Sequence, residues 1–173
     1  MANPEIESPL DGIDKLTVSL YRLGLSAAAL LLLCRGAALL SGMALLPSAQ
    51  WLMSLAVASA ICGFSLHIYD KRIRLILQGF GWGALALAAV GAPDALVLGA
   101  ALATLSGLAF KEQFCFAIPG IKLVPVLLPA LWLLEWAAAL VALVCGTLLT
   151  LLALAKWRMP LHFDIGDKGR YQI

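Results

Sequence analysis

The sequence has few charged residues. Only 13% of its 173 residues are Asp, Glu, Lys or Arg, whereas 62% are hydrophobic. Soluble domains carry about a quarter charged residues. Residues 75–93 and 95–110 contain no charged residue at all, and segments of this kind are solvated by the hydrocarbon core of a bilayer. We therefore predict an integral membrane protein, with the lipid bilayer as its first partner.

The sequence also lacks any basic run. Twelve Lys and Arg residues face ten Asp and Glu residues, a net charge of +2, which is too small to indicate a nucleic-acid partner. The opening segment, MANPEIESPLDGIDKL, is acidic through Glu5, Glu7, Asp11 and Asp14. It does not have the basic first part of a cleaved secretory signal. We expect this segment to be retained on the cytoplasmic side.

Motifs for metal, redox or nucleophilic chemistry are missing as well. The four cysteines (Cys34, Cys62, Cys115 and Cys145) are far apart, and the two histidines (His67 and His162) have no metal-ligand spacing. The cysteines are expected to be small packing residues, and His67 a hydrogen-bonded histidine near the membrane surface. No set of nucleophile, base and orienting group is recognisable. We expect neither a metal nor another cofactor, and no enzymatic activity.

Four segments are long and apolar enough to cross a membrane, which takes about 20 helical residues. They lie within residues 16–46, 51–69, 75–91 and 95–111. The remainder, residues 114–157, fits either a re-entrant segment with one long helix or two full crossings. Hydropathy alone does not separate these alternatives.

The distribution of basic residues favours two further crossings. If the four helices alternate, one side receives all the basic residues of the first 111 positions except Arg35, and by the positive-inside rule that side is cytoplasmic. The C-terminal end also carries Lys156, Arg158, Lys168 and Arg170, so the number of crossings should be even. Splitting the remainder at Glu135 gives segments 114–134 and 136–155, each long enough to span.

We predict an all-α, polytopic bundle of about six transmembrane helices, with both termini in the cytoplasm. The bundle occupies residues 16–157, between cytoplasmic segments at residues 1–15 and 158–173. Whether residues 114–134 cross fully or re-enter stays open. Small residues at every fourth position predict close packing of helices within the chain, although the same rows could form a dimer face. These rows are Ala138, Ala142, Gly146 and Thr150; Gly99, Ala103 and Gly107; and Gly79 and Gly83.

One polar stretch, FKEQFCFAIPGIKLVP at residues 110–125, interrupts the apolar sequence. Pro119, Pro125 and Pro129 each lack a backbone donor, so a helix here should be bent or broken, leaving carbonyls such as that of Pro125 without a donor. Transporters place solute sites at such breaks. The alternative is a cytoplasmic turn, with Lys122 reaching to the membrane surface. The candidate functional residues are Lys111, Glu112, Gln113, Cys115, Lys122 and Arg35.

Arg35 is the member of this set that lies far away in sequence. It follows Arg22 by thirteen residues, or about 20 Å along a helix, so the two cannot share one membrane interface. Arg35 either reaches the outer interface or is buried for a functional reason.

Three segments carry a resemblance to a known family. They are SPLDGIDKLTVSLYRLGLS at residues 8–26, FKEQFCFAIPGIKLVPVLLP at 110–129 and KWRMPLHFDIGDKGRYQI at 156–173. On these segments the chain resembles an uncharacterised bacterial integral-membrane family, domain of unknown function 2301. The resemblance implies a location in the bacterial cytoplasmic (inner) membrane, and it brings no activity, substrate or cofactor.

Two functions follow as hypotheses. The first is a compact membrane interaction, accessory or assembly protein, with another membrane protein or a second copy of the chain as partner. The alternative is a small solute or ion transporter or channel with a polar site at the broken fifth helix. The C-terminal tail is expected to be solvated and folded over the helix ends, so that His162, Asp164 and Asp167 are not a metal site.

Overall fold

The computed structural model describes residues 9–43 and 45–171, apart from the side chain of Glu135. Glu5 and Glu7 of the opening segment lie outside the described residues. The described residues form helices and no strand. The helices are α1 (Gly12–Ser41), α2 (Ser48–Phe64), α3 (Lys71–Ala89), α4 (Asp94–Glu112), α5 (Val124–Leu133), α6 (Ala138–Arg158) and the short α7 (His162–Ile165). The predicted all-α membrane bundle is confirmed.

The helix boundaries follow from capping residues and helix breakers. Asp11 and Asp14 form a capping box at the start of α1, where the Asp14 amide donates to Asp11 over 2.8 Å. Asp70 caps α3 by accepting from the amide of Ile73 at 3.0 Å. Gly42, with a φ of +70°, ends α1 in the left-handed conformation that suits glycine. Local sequence therefore decides where these helices begin and end.

Three helical segments are long and apolar enough to cross a membrane: α1, α4 and Ala138–Trp157 of α6. α2 and the segment Ile121–Leu133 are apolar but shorter. α3 has 19 residues and begins with the basic sequence Lys71-Arg72-Ile73-Arg74. Every predicted span thus contains a helix, although the helices differ in length.

The six longer helices form a closed ring. Each packs against its neighbours in sequence, α6 returns to α1, and α2 also contacts α4 across the ring. Leucine and alanine side chains fill the centre, and Leu25, Leu55, Leu105 and Leu149 are fully buried there. The ring therefore has a packed interior.

Glycines set the closest contact between α1 and α6. A Cβ atom at Gly146 would lie 2.8 Å from the backbone nitrogen of Leu33, and one at Gly36 would lie 2.9 Å from the carbonyl oxygen of Ala139. The predicted small-residue row of α6 therefore does pack within the chain, because it lets the two backbones approach.

The predicted row of α3 does not pack within the chain. Gly79 and Gly83 have no atom within 4 Å of the place where a Cβ would lie, whereas a Cβ at Gly81 would lie 2.8 Å from the carbonyl oxygen of Ser59. Two residues along a helix turn the side-chain direction by about 200°. The packed face of α3 is thus the one opposite the predicted row.

The fifth helix is shorter than residues 114–134. A 3₁₀ turn at Ile121–Leu123 precedes α5, whose ten residues span about 15 Å, roughly half of the hydrocarbon core. Residues 113–120 are irregular and end at Gly120, with a φ of +84°. The predicted break is present, and it lies before the helix.

Pro129 leaves the carbonyl of Pro125 without a backbone donor, as predicted. The hydroxyl of Ser106 on α4 replaces that donor, with its Oγ 2.7 Å from the Pro125 oxygen. An apolar setting requires every backbone carbonyl to be satisfied by protein. A side chain of α4 thus makes a proline inside α5 tolerable.

Gly146→Ala should destabilise the bundle, because the new methyl group would push against the backbone of Leu33. Overpacking of this kind costs about 1–3 kcal/mol, which lowers the Tm of a chain of this size by roughly 3–10 °C. The matched control is Gly79→Ala, where space is open. The measurement is the temperature at which half of the detergent-solubilised protein is lost from its monodisperse peak in size-exclusion chromatography. Equal midpoints for the two variants would refute the close contact.

Candidate functional site

Charged side chains gather at one end of the ring, where α1, α4, α6 and α7 meet. We call Arg22, Lys111, Glu112, Lys156 and Asp164 the charged network. Four of them expose only 1–3% of their side chains, whereas Lys111 exposes 24%. Burial of an unpaired charge costs several kcal/mol. The partners of each charge therefore decide whether this arrangement is stable.

Asp164 connects α7 to two other helices. Its carboxylate accepts from Nε of Arg22 at 2.8 Å and from the Lys156 ammonium. Arg22 also donates to the carbonyls of Met159 and Pro160, at 2.9 and 3.1 Å. These carbonyls follow the end of α6, where helical donors run out. Arg22 thus fixes the returning chain against α1.

Glu112 occupies the other half of the network. Its Oε1 accepts from the Tyr21 hydroxyl at 2.8 Å and from the Lys111 ammonium at 3.1 Å, while its Oε2 lies 3.1 Å from Nζ of Lys156. Lys156 is therefore shared between Glu112 and Asp164. One continuous set of ion pairs and hydrogen bonds connects α1, α4, α6 and α7.

Aromatic rings complete the surroundings of the two lysines. Nζ of Lys156 lies 5.0 Å from the ring centre of Tyr21 and 5.1 Å from that of Phe116. Nζ of Lys111 lies 5.4 Å from the Tyr21 ring. Cation–π contacts strengthen as water is removed, so they help to hold these ammonium groups in a buried place.

A cavity of about 630 Å³ opens beside the charged network, and all five network residues line it. Its volume lies within the range of small-molecule sites. The rest of the wall comes from the connection between α2 and α3, the irregular segment after α4 and the chain around α7. Aromatic side chains prominent in that wall are Phe110, Phe114, Phe116 and Phe163.

His67 lies in the cavity wall, in the connection between α2 and α3. Its Nδ1 is buried and has no hydrogen-bond partner among the described residues, so this atom does not make the expected hydrogen bond. Burial lowers the pKa of His67 to about 4, and the positive charge of Lys111 adds to this effect. The imidazole is therefore neutral near pH 7.

Cys115 is an exposed residue of the cavity wall. The expectation of packed cysteines is right for the buried Cys62 and Cys145 and wrong for Cys115. Partial burial raises the pKa of the Cys115 thiol, and the nearby Glu112 carboxylate adds to the shift. A protonated thiol is a poor nucleophile. Cys115 is therefore an accessible but unactivated thiol.

Three of the predicted functional residues meet in the cavity: Lys111, Glu112 and Cys115. Gln113 is half-buried at the end of α4 and does not line the cavity. Lys122 is exposed in the 3₁₀ turn before α5, also outside the wall. The structure thus brings three of the predicted residues together at the cavity and leaves Gln113 and Lys122 outside its wall.

Arg35 lies apart from the cavity. Its guanidinium carbon is 5.1 Å from the ring centre of Trp51 on α2, whose Nε1 donates to the carbonyl of Leu31 at 2.8 Å. Trp51 is only 6% exposed. Arg35 is half-buried against this ring and does not join the network.

Three of the five network residues were not predicted from the sequence as part of a site. Arg22 and Lys156 entered only as basic residues that decide topology, and Asp164 was assigned to a solvated tail. The assignment of Asp164 to a solvated tail is wrong, because this residue as a whole is only 8% exposed and its carboxylate pairs with Arg22. The sequence did contain a signal, because Arg22 lies ten residues inside the apolar helix α1 and a buried cation needs an acidic partner.

No three metal-ligand side chains converge on a metal site in the described part of the chain.

Asp164→Asn should destabilise the protein strongly, because it leaves Arg22 and Lys156 short of a buried negative charge. Breaking a buried ion pair costs about 3–5 kcal/mol. Asp167→Asn is the matched control, because Asp167 lies in the same segment and, in the part of the chain that the structure describes, its carboxylate accepts from the nearby amide of Gly169. The measurement is the Tm of each of the two variants in detergent. A small loss for Asp164→Asn, equal to that of the control, would contradict the role of the network.

His67 should contribute to acid sensitivity. Its pKa is about 4 in the fold and about 6.5 when exposed, so the unfolded chain binds more protons between these values. Stability should therefore fall as the pH drops from about 6.5 to about 4, and His67→Gln should remove part of this slope. His162→Gln serves as control. Identical pH profiles of Tm for wild type and His67→Gln would exclude a buried neutral imidazole.

Comparisons with known proteins fit this architecture. Residues 82–173 match the model of a family described as uncharacterized integral membrane protein (DUF2301). A protein of Haemophilus influenzae named "Uncharacterized protein" is 44% identical over 184 aligned residues, which cover 100% of both chains. No solved structure matches. The chain therefore belongs to the DUF2301 family of integral membrane proteins.

Proposed function

We propose that the protein is a ligand-binding accessory protein of the bacterial cytoplasmic membrane. In this proposal it crosses the membrane six times, with both termini in the cytoplasm, and has no catalytic activity of its own. The cavity beside the charged network is the observation that carries the proposal. It combines an apolar wall with a few convergent polar groups, as small-molecule sites do.

The location of the cavity supports binding at a membrane surface. The network joins the last residue of α4, the last turn of α6 and α7, so it lies at the ends of helices. The basic residues at the start of α3 lie at the same end, and the positive-inside rule assigns such an end to the cytoplasm. A ligand would therefore enter from the cytoplasm or from the inner leaflet.

The docked C-terminal segment supports an accessory role. The Lys168 ammonium pairs with Asp14 and donates to the carbonyl of Pro9 at 3.1 Å, and the amide of Asp167 donates to the Tyr69 hydroxyl at 2.9 Å. These contacts give the end of the bundle a defined polar surface. Another membrane protein, or a second copy of the chain, could recognise such a surface in a ligand-dependent way.

A blocked cavity tests the proposal. Cys115→Trp places a large ring in the wall, whereas Ala117→Trp places the same ring at an exposed position in the same segment, outside the wall. Protein purified in mild detergent is denatured, and the released small molecules are measured by mass spectrometry. We expect about one molecule per chain from wild type and Ala117→Trp, and a loss of about tenfold from Cys115→Trp.

Equal release from both tryptophan variants would contradict ligand binding in the cavity. The accessory role is examined in the same preparations, by identifying membrane proteins that co-purify with wild type and not with Cys115→Trp. Recovery of the same partners with wild type and with Cys115→Trp would show that partner binding does not need the ligand. It would refute a ligand-dependent contact.

Transport is the second candidate, because the cavity borders the irregular segment before α5. Cys115 and Phe116 of that segment line the cavity, and transporters bind solutes at interrupted helices. Purified protein in liposomes distinguishes the two functions. Solute or proton flux that Cys115→Trp stops and Ala117→Trp leaves intact would replace the accessory role by transport.

A further inference from the structure

We propose that the cavity binds an anionic amphiphile, a molecule with a carboxylate or phosphate headgroup and a hydrocarbon body. The headgroup would lie against Lys111 and His67, and the body along the aromatic part of the wall. This inference rests on the proposed function, since it names the chemistry of the ligand in that same cavity.

Lys111 is the most exposed cation of the network and has donors to spare. Its ammonium carries three N–H donors and, among the described residues, makes one hydrogen bond, to Glu112 at 3.1 Å. Its side chain is 24% exposed, in contrast to 3% for Lys156, which is paired with two carboxylates. Lys111 can therefore donate to a ligand without giving up its existing partner.

The charge balance of the network also favours an anion. Three cations, Arg22, Lys111 and Lys156, face two carboxylates, Glu112 and Asp164. A further carboxylate of the wall, that of Asp70, accepts from the amide of Ile73 at the start of α3. With Asp70 the wall as a whole holds equal numbers of cations and carboxylates, so the excess cation belongs to the network. A negative headgroup beside Lys111 would pair with this cation.

His67 supplies a second polar contact. Its Nδ1 is buried in the cavity wall without a hydrogen-bond partner among the described residues, and a buried group of this kind costs about 1–3 kcal/mol while it stays unpaired. A neutral imidazole can donate to a headgroup oxygen from the nitrogen that carries its proton. Because His67 lines the cavity, its imidazole can give a headgroup oxygen a second hydrogen bond beside that of Lys111.

The remaining wall suits a hydrocarbon body. Phe110 and Phe114 pack edge to face with ring centres 5.3 Å apart, and Phe116 and Phe163 continue the aromatic surface. Ile68 and Ile73 add aliphatic groups. A cationic head would be repelled by Lys111, and a purely apolar molecule would leave the remaining donors of Lys111 and the imidazole of His67 without a partner. An anionic head joined to an apolar body fits both parts of the wall.

Alkylation of Cys115 reports occupancy, because this exposed thiol lies in the wall and Cys62 and Cys145 are buried. The Cys34→Ala background removes the remaining half-buried cysteine. Protein first washed free of its bound molecule is labelled with N-ethylmaleimide in the presence of decanoate, decyl phosphate, decanol or decyltrimethylammonium. We expect the two anions to slow labelling about tenfold, and the alcohol and the ammonium compound to have little effect.

Substitutions of lysine test the headgroup contact. Lys111→Met should abolish protection by both anions, Lys111→Arg should keep most of it, and Lys122→Met should behave as wild type, because Lys122 is exposed outside the wall. Continued resistance of Cys62 and Cys145 to labelling shows that each variant is folded. Full protection by decanoate in folded Lys111→Met would overturn the proposal.

The source of the anion is decided by the same assay in vesicles. Protection in vesicles containing phosphatidylglycerol, and not in pure phosphatidylcholine, indicates a lipid headgroup. Protection by decanoate or decyl phosphate alone indicates a free amphiphile.

Equal protection by decanol would refute an anionic ligand and leave the proposed function standing. The proposed function fails separately, if Cys115→Trp and Ala117→Trp release equal amounts of bound molecule.

Discussion

The carboxylate of Asp164 is the contact on which the end of the bundle depends. Arg22 and Lys156 are fixed by the helices α1 and α6, and both are almost completely buried. Burial of either cation without an acid would cost several kcal/mol. The chain beyond α6 supplies that acid only if it turns back across the helix ends. The fold of residues 159–165 is therefore a consequence of charge compensation.

The same pairing shapes the cavity. When Asp164 reaches the two cations, Met159, Phe163 and Ile165 are placed along the cavity as part of its wall. Arg22 and Lys156 are almost completely buried, and each contacts at least two acceptors. Lys111 is partly exposed and contacts one acceptor among the described residues. The chemistry offered to a ligand is thus decided by which cation the protein's own carboxylates leave partly unpaired.

Much of the fold could be predicted from sequence, because apolar length, proline, glycine and capping aspartates are local signals. For this reason the sequence predicted a break near α5 and a Pro125 carbonyl that has no backbone donor. The pairing of Arg22 with Asp164 was not, because these residues are 142 positions apart and only the closed ring brings them together. The prediction that Gly79 and Gly83 pack within the chain was also not met. A small-residue pattern identifies a row on a helix but does not say which face meets a neighbour.

The polar stretch at residues 110–125 is both a turn and part of a site, for a single physical reason. Gly120 has a left-handed conformation and Pro119 has no donor, so the chain after α4 cannot continue as a helix, and α5 begins only at Val124. A helix of about 15 Å cannot fill the end of the ring beside α4. The space is left to the irregular segment, the α2–α3 connection and α7, whose side chains surround it without filling it. The cavity therefore exists because the fifth helix starts late, and the same residues that delay it place Cys115 and Phe116 in the wall.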